Sequence, residues 1–281
     1  MYNTQIIDIL ALIQQIREYE PALVKLIFGF VFVHCCEDKE EKHKYIRAMP
    51  ALGTNTISEA FSFYFNKTLE WVIIDNSVKT IGRCAFHGCS KLTHVIIPNS
   101  VDTIGNNAFN RCSSLTQVTI PDSVEKINNG AFSQCENLTH LTIGKSVKTI
   151  GNGVFFQCKN LTHLTIGKSV KTIGNSAFWG CSSLTHVIIP DSVETISNGA
   201  FLQCENLTHI TISNSVEDIG NNAFYWCSSL THVAIPNSVK TIGYMAFSEC
   251  PSLREVSIPN HLEKQVKDNK VFPEHTKIIV R

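Results

Sequence analysis

Residues 188–210 read IIPDSVETISNGAFLQCENLTHI, and this 23-residue stretch restarts repeatedly along the chain. Full copies without insertions begin at Ile73, Ile96, Thr119, Thr142, Thr165, Ile188, Thr211 and Ala234, and a decaying copy begins at Ser257. A fixed period of this length is typical of a solenoid, because one unit alone cannot bury its apolar face and stacked units can. The sequence therefore predicts an α/β repeat solenoid over residues 73–256.

Each unit predicts one strand and one short helical turn. Leu184, Val187 and Ile189 follow the L-x-x-V-x-I spacing of a leucine-rich-repeat strand, in which the last two share one face. Further along, Phe201, the alanine before it and Cys204 fall within one narrow arc of a helix. Stacked units then place their strands side by side in a parallel sheet, with the helical turns beside it.

Two residue types recur at fixed positions and predict buried columns. The phenylalanines are Phe86, Phe109, Phe132, Phe155, Phe178, Phe201, Phe224 and Phe247. The cysteines are Cys89, Cys112, Cys135, Cys158, Cys181, Cys204, Cys227 and Cys250. Buried thiols behave as small hydrophobic side chains, so we expect core packing here rather than catalysis or disulfides. The chain has 11 cysteines in all, and Cys35, Cys36 and Cys84 lie outside the column.

The ends of the array have to differ from its middle, because an open end exposes core. Residues 1–49 carry isoleucines with helical spacing between positions 6 and 16, which predicts an α-helical N-terminal cap. Residues 50–72 are interpreted as a degenerate capping repeat, since TISEAF there is similar to TIGRCAF in the next unit. Residues 257–281 are expected to form a C-terminal capping repeat whose final strand is TKIIVR.

Charge and hydropathy narrow the classes of partner. Lys+Arg and Asp+Glu both total 24, so the net charge is zero and nothing favours nucleic acid. The apolar run LVKLIFGFVFV at residues 23–33 is interrupted by Lys25 and is shorter than the roughly 20 residues that a bilayer requires, so no membrane span is expected. The N-terminal residues show no evident signal peptide, and we expect an intracellular, cytoplasmic protein.

The motif IPxSVxxIGxxAFxxCxxLTxV, which covers some two-thirds of the chain from residue 73 onward, resembles the BspA-type (Treponema-type) leucine-rich repeat family. The resemblance implies a curved solenoid used for protein–protein binding, and bacterial members are often surface adhesins. We expect neither a signal peptide nor a wall-anchoring tail, and this expectation departs from the adhesin pattern. A looser similarity lies at residues 21–31, where PALVKLIFGFV resembles the start of an F-box and implies a ubiquitin-ligase adaptor. The alternative for that segment is an amphipathic cap helix.

One slot varies where the rest of the unit is copied, namely the residue after the core phenylalanine. It holds Phe156, Trp179, Leu202 and Tyr225 in four consecutive units, and Trp226 extends the stripe. On a helix this slot lies about 150° from the centre of the apolar arc, so we expect an exposed row that binds a protein partner. The alternative is lateral packing within the array, or drift at an unconstrained position.

A second surface ladder consists of histidines that precede the inward residue of each strand and should face outward. Its members are His140, His163, His186, His209 and His232. Exposed imidazoles could hold a metal or sense pH. However, Gln117 and Glu255 occupy the same slot in other units, and TIGKSVKTIGN occurs twice. Copying of units therefore accounts for the histidines, and we expect no metal site.

The sequence contains no phosphate-binding loop, paired carboxylates, catalytic triad or closed cluster of metal ligands. We therefore expect no enzyme and no cofactor. The predicted function is a non-enzymatic protein–protein interaction scaffold whose partner the sequence does not name. The alternatives are a BspA-type surface adhesin and a substrate adaptor of a ubiquitin ligase.

Overall fold

The computed structural model describes residues 33–37, 44–48, 55–57 and 63–281. Over that part, the chain winds into a solenoid in which most 23-residue units contribute two short strands and one turn segment. In chain order the strands are β1 (Val33–Glu37), β2 (Lys44–Ala48), β3 (Thr56–Ile57), β4 (Trp71–Ile74), β5 (Thr80–Ile81), β6 (His94–Ile96), β7 (Thr103–Ile104), β8 (Gln117–Ile120), β9 (Lys126–Ile127), β10 (His140–Ile143), β11 (Thr149–Ile150), β12 (His163–Thr165), β13 (Thr172–Ile173), β14 (His186–Ile188), β15 (Thr195–Ile196), β16 (His209–Thr211), β17 (Asp218–Ile219), β18 (His232–Ala234), β19 (Thr241–Ile242), β20 (Glu255–Ile258) and β21 (Lys277–Val280).

The two-residue strands form one continuous sheet, which we call the long sheet. It has nine parallel strands in the order β3-β5-β7-β9-β11-β13-β15-β17-β19. The register aligns equivalent residues of successive coils, as in Ile150 opposite Ile173. The isoleucine of each strand is buried and the residue before it lies on the outer side, so each strand adds one rung to the core. The sequence analysis expects one strand in each unit, and the long sheet adds a second.

The longer strands form a second face, which we call the segmented sheet. It consists of four sheets, β1-β2-β4-β6, β8-β10-β12, β14-β16 and β18-β20-β21. In β14, Val187 is buried and its neighbours His186 and Ile188 are exposed, while Ile189 just after the strand is also buried. The predicted shared face of Val187 and Ile189 and the parallel pairing between coils are therefore confirmed.

The predicted short helical turns are wrong, because the structure has non-helical turn segments at these positions. They span residues 83–88, 106–111, 129–134, 152–157, 175–180, 198–203, 221–226 and 244–249, and we call their surface the turn face. In each of them the residues two before and two after the core phenylalanine have left-handed backbone, as at Gly153 and Gln157 with φ of 58° each. Two left-handed residues in six interrupt an α-helix, whose residues all have negative φ.

The turn segments are joined to one another by backbone hydrogen bonds. Alternate N–H groups, at Gly153, Phe155 and Gln157, donate to carbonyls of the next coil, including that of Ala177 at 2.8 Å and that of Trp179 at 2.7 Å. The Phe156 N–H between them bonds within its own turn, to the Gly153 carbonyl at 3.2 Å. The backbone of each coil is therefore tied to the next on the turn face as well as on the two sheets.

The core contains the two predicted columns. Each of the eight phenylalanines is fully buried, and successive rings are nearly parallel with centroids 4.8 to 5.6 Å apart. Phe63 and Phe272 extend this stack at its two ends, at 5.2 and 5.4 Å from their neighbours. The eight cysteines are buried and unpaired beside the rings. Each column therefore continues through every full repeat.

The described residues of the N-terminal region form strands, and an α-helical N-terminal cap is not shown. Within residues 1–49, β1 and β2 pair antiparallel, and β2 then pairs parallel with β4, so the region adds strands to the solenoid where the structure describes it. The isoleucines that suggested a helix and the F-box-like residues 21–31 lie outside the described residues. In the region 50–72, β3 begins the long sheet, and Leu69 and Val72 are buried in register with the first full unit.

The C-terminal residues close the array. After β20 come a 3-10 turn (Asn260–Leu262), a short helix α1 (Glu263–Asp268) and β21, which pairs parallel with β20. In β19, the last strand of the long sheet, side chains provide the hydrogen bonds that a further strand would make. Gln265 accepts a hydrogen bond from the Ile242 N–H, and Asn269 donates one to the Ile242 carbonyl. The helix thus caps the long sheet, and β21 extends the segmented sheet.

Candidate functional site

The predicted partner-binding residues lie together on the turn face, and we call Phe156, Trp179, Leu202, Tyr225 and Trp226 the aromatic row. The first four are half-buried rather than fully exposed, whereas the side chain of Trp226 is 48% exposed. The expected outward orientation was argued from a helix that the structure lacks. In the observed turns, these side chains lie over the edge of the core with one side in solvent.

Neighbouring members of the row contact one another. The rings of Phe156 and Trp179 meet edge to face with centroids 5.2 Å apart, and those of Tyr225 and Trp226 meet similarly at 6.3 Å. Trp179 Nε1–H donates a hydrogen bond of 2.8 Å to Gln203 Oε1 in the next coil. The row therefore packs laterally and also presents apolar surface, so both of the alternatives raised by the sequence describe part of it. A binding role for these residues stays a prediction.

Trp226 occupies the left-handed position two residues after the core phenylalanine, with φ of 61°. Two of its seven equivalents are glycines, Gly88 and Gly180, and the other five carry side chains at φ of 55–60°, namely Arg111, Gln134, Gln157, Gln203 and Glu249. A residue with a side chain pays roughly 1–2 kcal/mol to adopt left-handed backbone, and glycine does not. The chain thus holds a large, half-exposed indole at a position where glycine would be easier to accommodate.

The structure adds two aromatic residues that the sequence reading missed. Tyr64 and Phe65 occupy the same two slots one coil before the first full repeat, and they are 50% and 44% exposed. Tyr64 stacks on His87 with centroids 5.0 Å apart. The signal for them was Phe63, 23 residues before Phe86. The similarity between TISEAF and TIGRCAF hid this signal, because the two motifs align with a shift of 24 residues instead of 23.

Trp226 also lines an open groove against the C-terminal cap. Pro251, Phe272 and Ile278 supply its apolar wall, and Lys270 is among the polar residues around it. Glu249, Lys267 and Glu274 also line it, so the groove combines apolar and charged surface, as protein interfaces do. The groove continues the turn face at the C-terminal end of the aromatic row.

The histidine ladder lies on the segmented sheet, where His140, His163, His186, His209 and His232 are all exposed. Two adjacent pairs of rings are stacked. The centroids of His140 and His163 are 4.2 Å apart, and those of His186 and His209 are 4.8 Å apart. Each Nδ1 atom lies 2.8 to 3.0 Å from the hydroxyl of the threonine before it. The outward orientation predicted for the ladder is thus observed.

The cysteine column is chemically quiet. The Cys181 thiol donates to the carbonyl of Phe155 at 3.3 Å, and the same contact recurs along the column. Burial raises the pKa of the Cys158 thiol to about 12, so its reactive thiolate form is scarce at neutral pH. Cys84 is also buried and unpaired, whereas the side chains of Cys35 and Cys36 lie outside the described part of the chain.

Exposed charges form pairs along the coils. Examples are Lys148 with Glu125 at 3.1 Å and Lys240 with Glu217 at 2.7 Å, each one repeat apart. Such pairs contribute only ~0.2–1 kcal/mol to stability.

Within the described ranges, no group of three or more His, Cys, Asp or Glu residues is arranged to hold a metal ion. Within those ranges, too, no helix has the length and hydropathy of a membrane span.

A sequence model of the BspA type leucine rich repeat region matches residues 56–185 and 171–278, in six copies. The chain belongs to the BspA-type leucine-rich repeat family. The recognition made from the 23-residue motif is thereby confirmed, as are the tandem repeats and the solenoid. No significant match is found among curated protein sequences.

Several solved structures are similar to this BspA-type chain. A leucine rich cell surface protein from Faecalibacterium prausnitzii is 22% identical, with 89% of this chain and 94% of that chain covered and a TM-score of 0.43. The T. pallidum leucine rich repeat protein is 20% identical, with coverages of 88% and 97% and a TM-score of 0.44. The pneumococcal vaccine antigen PcpA is 18% identical, with coverages of 89% and 96% and a TM-score of 0.38. The family assignment rests on the repeat sequence and not on these scores.

Proposed function

We propose that the chain is a non-enzymatic scaffold that binds a protein partner through the aromatic row. The observation that carries this proposal is Trp226, which is half-exposed at the end of the aromatic row and lines the groove against the C-terminal cap. Folding alone gives no reason to keep an indole there, because much of its surface remains in water and Arg, Gln or Glu occupies the same backbone position in five other coils. Exposed tryptophan is among the side chains that most often anchor protein–protein contacts.

The surroundings of the row define the chemistry of the partner. Phe156, Trp179 and Leu202 give a half-buried apolar strip, and the groove beside Trp226 combines apolar with charged surface. Gln157 and Gln203 border the strip, and the second of these already accepts the Trp179 hydrogen bond. Apolar centres with hydrogen-bonding rims are typical of protein interfaces. We expect a partner segment that presents at least one large apolar side chain, which enters the groove.

The absence of catalysis is supported by the placement of the reactive residue types. The column thiols are buried, burial raises the pKa of Cys181 and Cys227, and the histidines lie on the opposite side of the inward-facing strand residues. Cys181 and His186, close in sequence, therefore do not meet in the structure. A nucleophile and its base need hydrogen-bond contact, which this arrangement does not offer them.

The test uses the full chain as bait in an extract of its source cells, with quantitative mass spectrometry of the captured proteins. Trp226→Gly removes the indole and relieves the left-handed backbone, so we expect at least a tenfold loss of the specific partner with unchanged or raised thermal stability. The matched control is Arg111→Gly, which changes the equivalent slot five repeats earlier, where φ is 60°. This control should keep the partner.

Three outcomes of this test would contradict the proposal. The first is equal capture by Trp226→Gly and the unchanged chain, which would show that the indole is not an anchor. The second is equal loss in both glycine variants, which would show a general effect of the turn face. The third is a clear fall in thermal stability for Trp226→Gly, which would show that Trp226 serves packing instead.

A further inference from the structure

The strand β21 ends the segmented sheet in the part of the chain that the structure describes. It pairs parallel with β20 on one side, and no described strand lies on its other side. The Lys277 N–H donates to the Arg254 carbonyl at 2.8 Å. The Arg281 N–H donates to the Ile258 carbonyl at 3.0 Å. Because alternate residues of a parallel strand bond to the same neighbour, these two contacts fix which residues of β21 face β20.

Ile278 and Val280 therefore present free backbone groups at the outer edge of β21. They alternate with the residues that bond to β20, so their N–H and carbonyl groups point away from that strand. Neither residue makes a backbone hydrogen bond to any other described segment. A row of such groups at a sheet edge is able to pair with one further strand.

The side chains of β21 are also open to solvent. Ile278 and Val280 lie on the inner face, opposite two buried residues of β20, yet they are 38% and 40% exposed. Ile279 lies on the outer face and is 36% exposed. Natural proteins usually protect an edge strand with charged residues, proline or a bulge. The stretch from Ile278 to Val280 has none of these protections.

The long sheet ends in a different way. There the helix α1 follows β19, and the side chains of Gln265 and Asn269 make the hydrogen bonds that a further strand would make to Ile242. The structure thus closes the edge of one sheet and leaves the edge of the other free. Backbone groups in this arrangement select an extended strand as the occupant.

The free edge of β21 is complementary to itself. In an antiparallel pair of two copies, with the twofold axis between the two Ile279 residues, Ile278 of each copy lies opposite Val280 of the other. Each of these pairs exchanges both N–H···O bonds, so every free group of both strands is used. A register shifted by two residues would include Thr276, whose N–H already donates to the Pro273 carbonyl at 3.0 Å. The register centred on Ile279 is therefore preferred.

The side chains suit the same register. Residues that lie directly opposite each other in a sheet share one face, so Ile278 packs beside Val280 of the second copy on the inner face. The two Ile279 side chains meet on the outer face. The pair thus buries aliphatic surface that each single copy leaves in water, which favours association.

Charge does not oppose this pairing. Lys277 lies opposite Arg281 of the second copy, but each cation is already held by its own chain. Lys277 Nζ lies 3.3 Å from a Glu255 carboxylate oxygen, and the Arg281 guanidinium donates to the Ile235 carbonyl at 2.8 Å. The chain has a formal net charge of zero, so two copies do not repel each other at long range.

We propose that two copies of the chain associate through antiparallel pairing of their β21 strands. The last strands of the two segmented sheets then form one continuous sheet across the twofold axis. One strand from each copy gives a small interface, so the dissociation constant is about 10–300 µM. Ile279 does not line the groove beside Trp226, so this association does not depend on the proposed partner binding.

Sedimentation velocity of the full chain, from about 5 µM to about 1 mM, tests the proposal. We expect a reversible shift from monomer to dimer over this range. Ile279→Lys and Ile279→Glu should each weaken the dimer at least tenfold, because like charges then lie opposite at the twofold axis. An equimolar mixture of the two variants should restore it. The matched control is Ile188→Lys, since Ile188 is 72% exposed on the same sheet within the array; its effect should be less than twofold.

A backbone variant tests the hydrogen bonds themselves. Ile278→Pro removes an outward N–H without removing a bond to β20, so we expect at least tenfold weaker association with unchanged thermal stability. A chain that stays monomeric up to about 1 mM would overturn the proposal, whatever strand of another protein binds at this edge. A dimer that persists in both Ile279 variants, or an equal loss in Ile188→Lys, would also overturn it, because the contact would then lie elsewhere.

Discussion

Replacing Phe178 with alanine tests whether the phenylalanine column holds neighbouring coils together. Its ring is fully buried and stacks on Phe155 at 5.3 Å and on Phe201 at 5.1 Å. Phe→Ala substitutions in well-packed cores cost ~3–5 kcal/mol. Each aromatic pair is worth ~0.5–1.5 kcal/mol beyond its burial, so the two stacks account for about 1–3 kcal/mol of that loss. We therefore expect Phe178→Ala to lower the free energy of unfolding by about 3–5 kcal/mol.

Urea unfolding followed by far-ultraviolet circular dichroism measures this loss. Phe178→Leu is the matched control, because it keeps apolar bulk and removes only the two ring stacks, for an expected loss of about 1–3 kcal/mol. Since each coil contacts only its neighbours, a central defect should also weaken the coupling of the two halves and broaden the transition. If Phe178→Ala costs no more than Phe178→Leu, the cavity and stacking argument for this column is refuted.

Two further predictions concern ionisable groups. The eight column thiols and Cys84 should resist a disulfide reagent in the native chain, because they are buried and burial raises the pKa of Cys158 to about 12. These nine leave two of the 11 cysteines, so fast labelling of more than two in the native chain would contradict the prediction. Hydrogen bonds from Lys145 hold the pKa of Asp122 below its usual value, so the pair stabilises the fold above the ordinary aspartate pKa and loses that effect as pH falls through the lowered one. In a carboxyl NMR titration, Lys145→Met should raise the Asp122 pKa toward its usual value. The control Lys148→Met should leave the Asp122 pKa unchanged. An Asp122 pKa that stays the same in Lys145→Met would refute the pairing.

The 23-residue period predicted the core well, because a solenoid repeats contacts along with sequence. Once the copies were aligned, every phenylalanine and cysteine of the columns had the same neighbours one repeat away. Their burial followed without any knowledge of the overall path of the chain. The parallel strands followed from the same logic, since equivalent residues such as Val187 and Ile210 must lie opposite each other in adjacent coils.

The backbone conformation of the turn segments was harder to predict from the sequence. Apolar spacing over five residues fits a helical arc and also fits the observed turns. The distinguishing signal was the frequent Gly or Asn two residues before phenylalanine, at Asn107, Gly130, Gly153, Gly199 and Asn222, since these residues tolerate left-handed backbone best. Cys84, Ser176 and Met245 occupy the same slot and blur that signal, because such residues seldom adopt left-handed backbone.

The candidate surfaces were located by sequence but not described by it. The variable slot pointed to the aromatic row, while its half-buried state depends on turn geometry that a helical reading gets wrong. The ladder of histidines was also visible. The stacking of the His140 ring on the His163 ring depends on side-chain orientations, which no spacing rule contains.

The backbone ladder on the turn face has an evolutionary consequence. Because main-chain amides join successive coils there, the joint does not depend on which side chains occupy the two outer slots. A duplicated unit can therefore form all its backbone hydrogen bonds to the neighbouring coils at once. The residue in its outer slot can then change by mutation until it binds a new partner. The backbone framework of the turn face can therefore stay constant while the side chains in its outer slots change.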